Sequence, residues 1–427
     1  MSVASIECAA DVIEPSEYHK DPTDMKREPT LTPFQLLPTL LPEIEIDAET
    51  FIGIRRQIHS QPELGFEVGA TAKLVAMLLE KWGYEVHTGI GRSGVVGQLK
   101  VGAGKRRLGI RADMDALPIV ENTGLPYASL HAGKMHACGH DGHTAILLAA
   151  ARTLAQRRDF DGTLNLIFQP DEENLCGAKA MIDDGLFERF PCDAVYALHN
   201  MPGVPAGTFR VLAGPVSLSS DVADVTLKGV GGHGAMPHRV KDPIVAAAAL
   251  VTALQTIVAR NVAPDDTAVV SVGFIKGGAT HNVIPETVTL GINIRAARPE
   301  TRELVEQRVR EIVASTAQAH GIQAHLDYRQ LTPPMVNTPE ETLLAQQVCT
   351  ELVGAENVAM QAPKGLNGSE DFAWMLKAVP GCYLLLGNGE GEFGGCMVHN
   401  PGYDFNDQVL PLGAAAWVRL AQRFLAG

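Results

Sequence analysis

Between His136 and His143 the chain reads H-A-C-G-H-D-G-H, three histidines, a cysteine and an aspartate within eight residues. A thiolate and an imidazole separated by one glycine, as at Cys138 and His140, suit one or two borderline-soft cations such as Zn²⁺. A turn with a helix cap, with Asp141 or Thr144 taking up free N–H groups, would need fewer such side chains. The density therefore points to a metal-binding or catalytic loop. Cys138 beside a histidine would also serve a cysteine-nucleophile amidase.

Asp171-Glu172-Glu173 follows the apolar run TLNLIFQ and Pro170. Carboxylates just beyond the carboxyl end of a buried strand stand where α/β active sites lie. One can bind a metal while its neighbour takes a proton from a metal-activated water. His199 ends the run DAVYALH, and His399 stands in CMVHNPGYDFND after a glycine-rich stretch. Taken alone, His199 reads rather as a hydrogen-bonded core histidine, and His399 is similarly ambiguous. Further along, Gly231-Gly232-His233-Gly234 presents an imidazole on a tight turn, Asn282 lies in THNVIP, and Arg295 ends TLGINIR. A guanidinium suits bidentate binding of a carboxylate, although spacing alone makes Arg295 a surface cation. The sequence Gly89-Ile-Gly91-Arg-Ser-Gly94 matches a dinucleotide fingerprint but leads into a second strand, VVGQLKV, rather than a helix. A pyrophosphate site is rejected on that ground.

The elements that must gather these residues follow from periodicity. Apolar positions from Ala48 to Glu80 recur at helical spacing with a break at Gln61-Pro62. Short β-rich runs (YEVHT, VVGQLKV, RRLGIRADM), a helix over Thr144–Gln156 and TLNLIFQ then predict an α/β layer with a mostly parallel sheet. From Gly214 the pattern changes: DVADVTLKGV, AVVSVGFIKG and NVIPETVTLGINIRAA alternate like half-exposed antiparallel strands. Helices over Asp242–Arg260 and Pro299–His320 interleave with them. The expected fold is α/β with two domains. A discontinuous catalytic domain (46–213 and 329–427) has a mixed, mostly parallel sheet flanked by helices. An inserted α+β lid or dimerisation domain (214–328) has a four-stranded antiparallel sheet. Residues 1–45 read as a loosely docked extension.

Four hundred and twenty-seven residues can bury large cores without disulfides, and at roughly 150 residues per domain suggest two or three domains. Net charge is −14, with 35 basic and 49 acidic residues. That balance disfavours nucleic acid and anionic membranes as partners. Seven scattered cysteines do not form a disulfide framework and fit a reducing compartment. The polar N-terminus lacks a secretory pattern, and AAAALVTALQTIVA is expected to be a buried helix too short to span a membrane. A cytoplasmic location follows as the expectation.

In order, RRQIHSQPELGFE, RADMDALPI, HACGHDGHTA, FQPDEE, LHNMPG, GGHGAMPH, THNVIP, GSEDFA and HNPGYDFND resemble the metal-dependent peptidase and amidohydrolase family of aminoacylases and carboxypeptidase G2. The resemblance is to its branch of hippurate hydrolases and plant indole-acetyl-amino-acid hydrolases, over about residues 50 to 410. It implies a homodimer or higher oligomer that hydrolyses small N-acyl amino acids with two divalent ions per subunit, Zn²⁺ or Mn²⁺, with Co²⁺ or Ni²⁺ as alternatives. Cys138, His140, Glu173, His199 and His399 would be metal ligands and Glu172 the general base. His233 would stabilise the oxyanion, reaching into a partner's site, while Asn282 and Arg295 would hold the substrate carboxylate. Where the broader family has His-x-Asp this chain has Asp113-Met-Asp115, as its branch does. His140 would then supply the imidazole, with Asp113 and Asp115 orienting the ligands. Asp171 replaces a small residue, and Asn174-Leu175 replaces Gly-Gly. The extra carboxylate would raise the Glu172 pKa or alter the polarity of the acyl pocket. Other readings are a dipeptidase or carboxypeptidase of the same family and a non-catalytic zinc-binding protein.

Overall fold

The computed structural model describes residues 42–360, 368–391 and 394–426. The extension expected at the N-terminus lies, through residue 41, outside the described residues. The helix Pro42–Ser60 then begins, and it is followed by Gly69–Lys81 beyond the break at Gln61-Pro62.

Eight strands form the larger sheet, in the order Glu85–Ile90, Gly94–Val101, Gly162–Gln169, Arg107–Asp113, Ala194–Pro202, Gly381–Gly389, Phe209–Arg210, Val358–Ala359. The central pairings, 107–113 with 162–169 and with 194–202, and 194–202 with 381–389, are parallel. Their strands read as continuous apolar runs because helices cover both faces. On one face lies His140–Arg157, flanked by Pro42–Ser60 and Leu410–Phe424. Its run AILLAAA is buried on all sides, as expected of a helix enclosed by other layers. A smaller core around Ile167, Val195, Ala197, Met181 and Phe372 closes the opposite face. The rejected fingerprint Gly89–Gly94 is the hairpin turn between the first two strands, which pair antiparallel.

The second sheet has four antiparallel strands in the order Ala268–Lys276, Thr287–Ala296, Ser220–Lys228, Gln323–Thr332. Helices Pro243–Asn261 and Pro299–Ala319 pack on one face, burying Leu250, Leu254, Val305 and Val309 against Val225, Leu227, Leu290 and Ile292. The chain enters and leaves this sheet side by side, since Gly214–Ser217 pairs with Met335–Asn337. One expectation is corrected here. The apolar helix Pro243–Asn261 is 19 residues long, and only 33% of its most apolar window is buried. Only one face meets the sheet, so Ile244 and Val245 stay exposed.

Candidate metal centre

The chemistry-bearing residues come together at the carboxyl ends of the parallel strands. Asp113 ends one strand and Asp115 follows it. Glu172 and Glu173 lie in the turn after Gly162–Gln169, and His199 sits in the last half of Ala194–Pro202. His140 is the first residue of its helix. The expected helix start at Thr144 thus moves back one turn, because Gly139 takes the N-cap in a left-handed conformation (φ 97°). A side chain there would collide with the Asn200 amide and the Tyr403 hydroxyl, its Cβ lying 2.2 and 2.5 Å from them. Neither Asp141 nor Thr144 caps this helix. The Thr144 hydroxyl donates to the Asp113 carbonyl (2.8 Å), and Asp141 faces Arg55 and His59.

Around this turn Cys138 Sγ lies 3.2 Å from His199 Nε2, and His399 Nε2 lies 3.4 Å from Glu173 Oε2. His140 Nε2 stands 3.8 Å from Glu173 Oε1 and 3.9 Å from Glu172 Oε2. His399 is held at positive φ (65°), and its N–H donates to the Ala137 carbonyl at 2.7 Å, which ties its loop to that of Cys138. The five expected ligands thus meet in one place, with Glu172 beside them.

The donor set fits divalent cations. Cys138, His140 and His199 present donor atoms within 4.8 Å of one another, and so do Cys138, Glu173 and His399, and His140, Glu172 and Glu173. Overlapping triads that share members are what a pair of ions needs. Among the described residues, both ring nitrogens of His140 and Oε1 of Glu173 are buried without a hydrogen-bond partner, a costly arrangement unless another group satisfies them. Burial, reinforced by Glu173, pushes the Cys138 thiol well above its usual range. Burial also pushes the Glu173 carboxyl up to about 7 and the His199 imidazole well below its ordinary value. A cation among them would invert this logic for the thiol and carboxyl, favouring thiolate and carboxylate, while the neutral imidazole is already a competent ligand.

Asp115 accepts the backbone N–H of Glu172 at 3.0 Å and of Glu173 at 3.1 Å, and its Oδ1 lies 3.4 Å from His140 Nδ1. Asp113 bonds Arg111 Nη1 at 2.7 Å and His143 Nδ1 at 2.6 Å. The Glu172 carboxyl is held well above the usual carboxylate range, first by burial and then by the charges of Glu370, Asp371 and Glu173. Asp171 does not line the cavity and is not among the main causes of the Glu172 shift. Its backbone is left-handed (φ 54°), and its carboxylate turns back to accept the Asn174 amide at 2.5 Å, away from the cavity lining.

The cavity beside this cluster measures about 490 Å³ and is walled by Cys138, Glu172, Glu173, His199, His399 and Arg295, with apolar residues between. Arg295 donates to the Ser369 hydroxyl, and burial lowers its pKa. His233 and Asn282 do not line it. They lie together and exposed on the small ladder where Gly232–His233 pairs with Val283–Ile284.

Sequence reasoning assigned no role to the buried network around Arg111. That guanidinium reaches Glu370 (2.9 Å) and Asp371 (3.2 Å) besides Asp113, and the Tyr383 hydroxyl donates to Glu370 at 2.7 Å. Arg55 and His59 clamp Asp141 at 2.9 and 2.8 Å. The segments RADMDALPI, GSEDFA and RRQIHSQPE carried Arg111, Glu370, Asp371, Arg55 and His59, and their place among the ordered motifs was the available signal.

A buried carboxylate next to donors for paired cations, opening on a cavity at the carboxyl ends of parallel strands, defines a metal-dependent hydrolase. The chain belongs to peptidase family M20/M25/M40, whose pattern matches residues 109–423, and it is a hydrolase of amide bonds. It is 45% identical over 386 residues to a hippurate hydrolase of Campylobacter jejuni, covering 90% of this chain and 99% of that protein. An IAA-amino acid hydrolase of Arabidopsis thaliana is 38% identical, over 88% of this chain and 85% of its own. Among solved structures, a dinuclear metal binding peptidase of the same family from Bacillus subtilis superposes with a TM-score of 0.77 at 30% identity, covering 89% of this chain and 99% of that one.

Proposed function

We propose that the chain hydrolyses the amide bond of N-acyl amino acids, releasing a carboxylic acid and a free amino acid. The observation that carries this reading is the placement of Glu172, a buried carboxylate 3.9 Å from His140, in a cavity that also holds the Arg295 guanidinium. Cys138, His140, Glu173, His199 and His399 would hold two divalent ions, Zn²⁺ or Mn²⁺. Bound there, the ions supply Lewis-acid polarisation of the scissile carbonyl and a water acidic enough to attack it.

The chain's own residues do the rest. Glu172 accepts the proton of the attacking water and delivers it to the leaving nitrogen. Burial and the charges of Glu370 and Asp371 raise its affinity for a proton in the metal-free site, and bound cations would oppose that shift. Asp115 holds both glutamates through their backbone amides, and Asp113 braces the histidines. Arg295 binds the α-carboxylate in two parallel hydrogen bonds, so a free carboxylate is required of the substrate. Residues 214–328 act as an inserted lid and dimerisation domain on the catalytic domain of 46–213 and 329–427. The exposed apolar face of Pro243–Asn261 and the edge strand Ala268–Lys276, whose outer side pairs with no strand among the described residues, support a homodimer. His233 and Asn282, exposed on their ladder, would meet the substrate only through that partner or on closure. A cytoplasmic location belongs to the same reading, on the acidic charge and scattered cysteines.

The test compares benzoylglycine, N-acetyl and indole-acetyl amino acids, their methyl esters and simple dipeptides. Release of amino acid from the free acids, and far slower cleavage of the esters, is expected. Cleavage of the dipeptides alone would make the protein a peptidase and overturn the reading.

A further inference from the structure

The cavity has a second guanidinium whose work the hydrolysis of a simple N-acyl amino acid does not explain. Arg210 lies in the short strand Phe209–Arg210, with its Cα opposite Leu385, which itself stands opposite His199. Residues in register on neighbouring strands project to the same face. Arg210, Leu385 and His199 therefore form one row across three strands, and all three line the cavity. Phe209 and Leu386, the next pair along, point the other way into the core. With strands about 4.8 Å apart, the Arg210 backbone stands about 10 Å from that of His199.

Arg210 is half-buried, and among the described residues no carboxylate pairs with it. The fully buried arginines are matched: Arg55 by Asp141, Arg111 by Asp113 and Glu370. The acids that line the same cavity are Glu172, Glu173 and Glu370. The first two cluster with His140, and the third is taken by Arg111 and Tyr383. The neighbours of Arg210 along its row and its own strand direction, Leu385 and Leu212, are apolar. A partly desolvated guanidinium against an apolar wall, with its five donors unmatched by an anion, is a receptor for a carboxylate.

We propose that Arg210 forms a second carboxylate subsite, and that the substrates this chain handles best are N-acyl amino acids carrying two carboxylates. This rests on the reading above, in which Arg295 takes the α-carboxylate. The second carboxylate comes from the far end of the acyl group or from an acidic amino-acid side chain, and the chemistry at Arg210 is the same in both cases.

The experiment measures kcat/KM for two diacids against amides that keep only the α-carboxylate. N-Glutarylglycine and its terminal monoamide place the second charge on the acyl side. N-Benzoylglutamate and N-benzoylglutamine place it on the amino-acid side. Benzoylglycine is included as the substrate with a single carboxylate. At least one diacid is expected to exceed its amide about tenfold or more, a preference that Arg210→Gln abolishes and Arg210→Lys partly keeps. Thermal melting of both variants checks that they fold. Turnover of benzoylglycine with diacid-to-amide ratios near one, unchanged in Arg210→Gln, overturns this inference alone. Hydrolysis of none of the five overturns the amidohydrolase reading with it. The pair that shows the preference identifies the source of the charge.

Discussion

The carboxylate of Asp115 accepts the backbone N–H of Glu172 at 3.0 Å, across 57 residues of sequence. Its other oxygen takes the next amide, that of Glu173. The turn that carries the proposed base and a proposed ligand is thus fixed from the end of the neighbouring strand. An asparagine in its place would offer one acceptor and turn an N–H donor toward a donor. Asp115→Asn should therefore weaken metal binding by about 10–100-fold, as loss of an orienting partner does. Calorimetric titration of the metal-free protein measures this, and unchanged affinity would show that the turn holds itself.

Glu172→Gln keeps the shape of the side chain and removes the proton acceptor. Turnover should fall by about 10²–10⁴, while metal content, followed by elemental analysis, stays at the wild-type level. Loss of metal in parallel would make Glu172 a ligand instead.

Gly139→Ala tests the geometry that starts the central helix at His140. The added methyl carbon would lie 2.2 Å from the Asn200 amide oxygen, on a backbone at φ 97°. Strain of this kind costs about 1–3 kcal/mol, so a lowered melting temperature is expected. Activity should fall as well, because Cys138 and His140 flank the position.

His59 gives the fold a pH dependence. Burial alone would lower its pKa, but hydrogen bonds to Asp141 and Glu121 outweigh that and raise it to about 9. A group whose folded pKa exceeds its unfolded value stabilises fully below the unfolded value, about 6.5 for histidine, and loses that stabilisation as pH rises through the folded one. Stability should decline between about pH 6.5 and pH 9. Denaturation midpoints across that range should fall in the wild type and flatten in His59→Gln.

Much of this arrangement was legible in the sequence because periodicity and motif order are local properties. The break at Gln61-Pro62, the switch to alternating strands after Gly214 and the clustering of Cys138 with His140 each reflect a few neighbouring residues. What escaped depends on pairings across the fold. Arg111 reads as one charge in an apolar strand, and only the fold brings it to Glu370 and Asp371, some 260 residues away. Asp171 looked important because it adjoins Glu172. Its left-handed backbone, which sequence does not display, turns its side chain toward Asn174 instead. The helix Pro243–Asn261 looked buried because it is apolar, yet burial depends on how many layers cover it, and among the described residues one face has none.

The most direct test of the account is to strip the protein of metal and follow release of glycine from benzoylglycine as Zn²⁺ or Mn²⁺ is returned. The account predicts that activity vanishes on chelation and climbs back with added ion. Full activity in protein verified to be metal-free would contradict it, and would turn attention to Cys138 as a nucleophile.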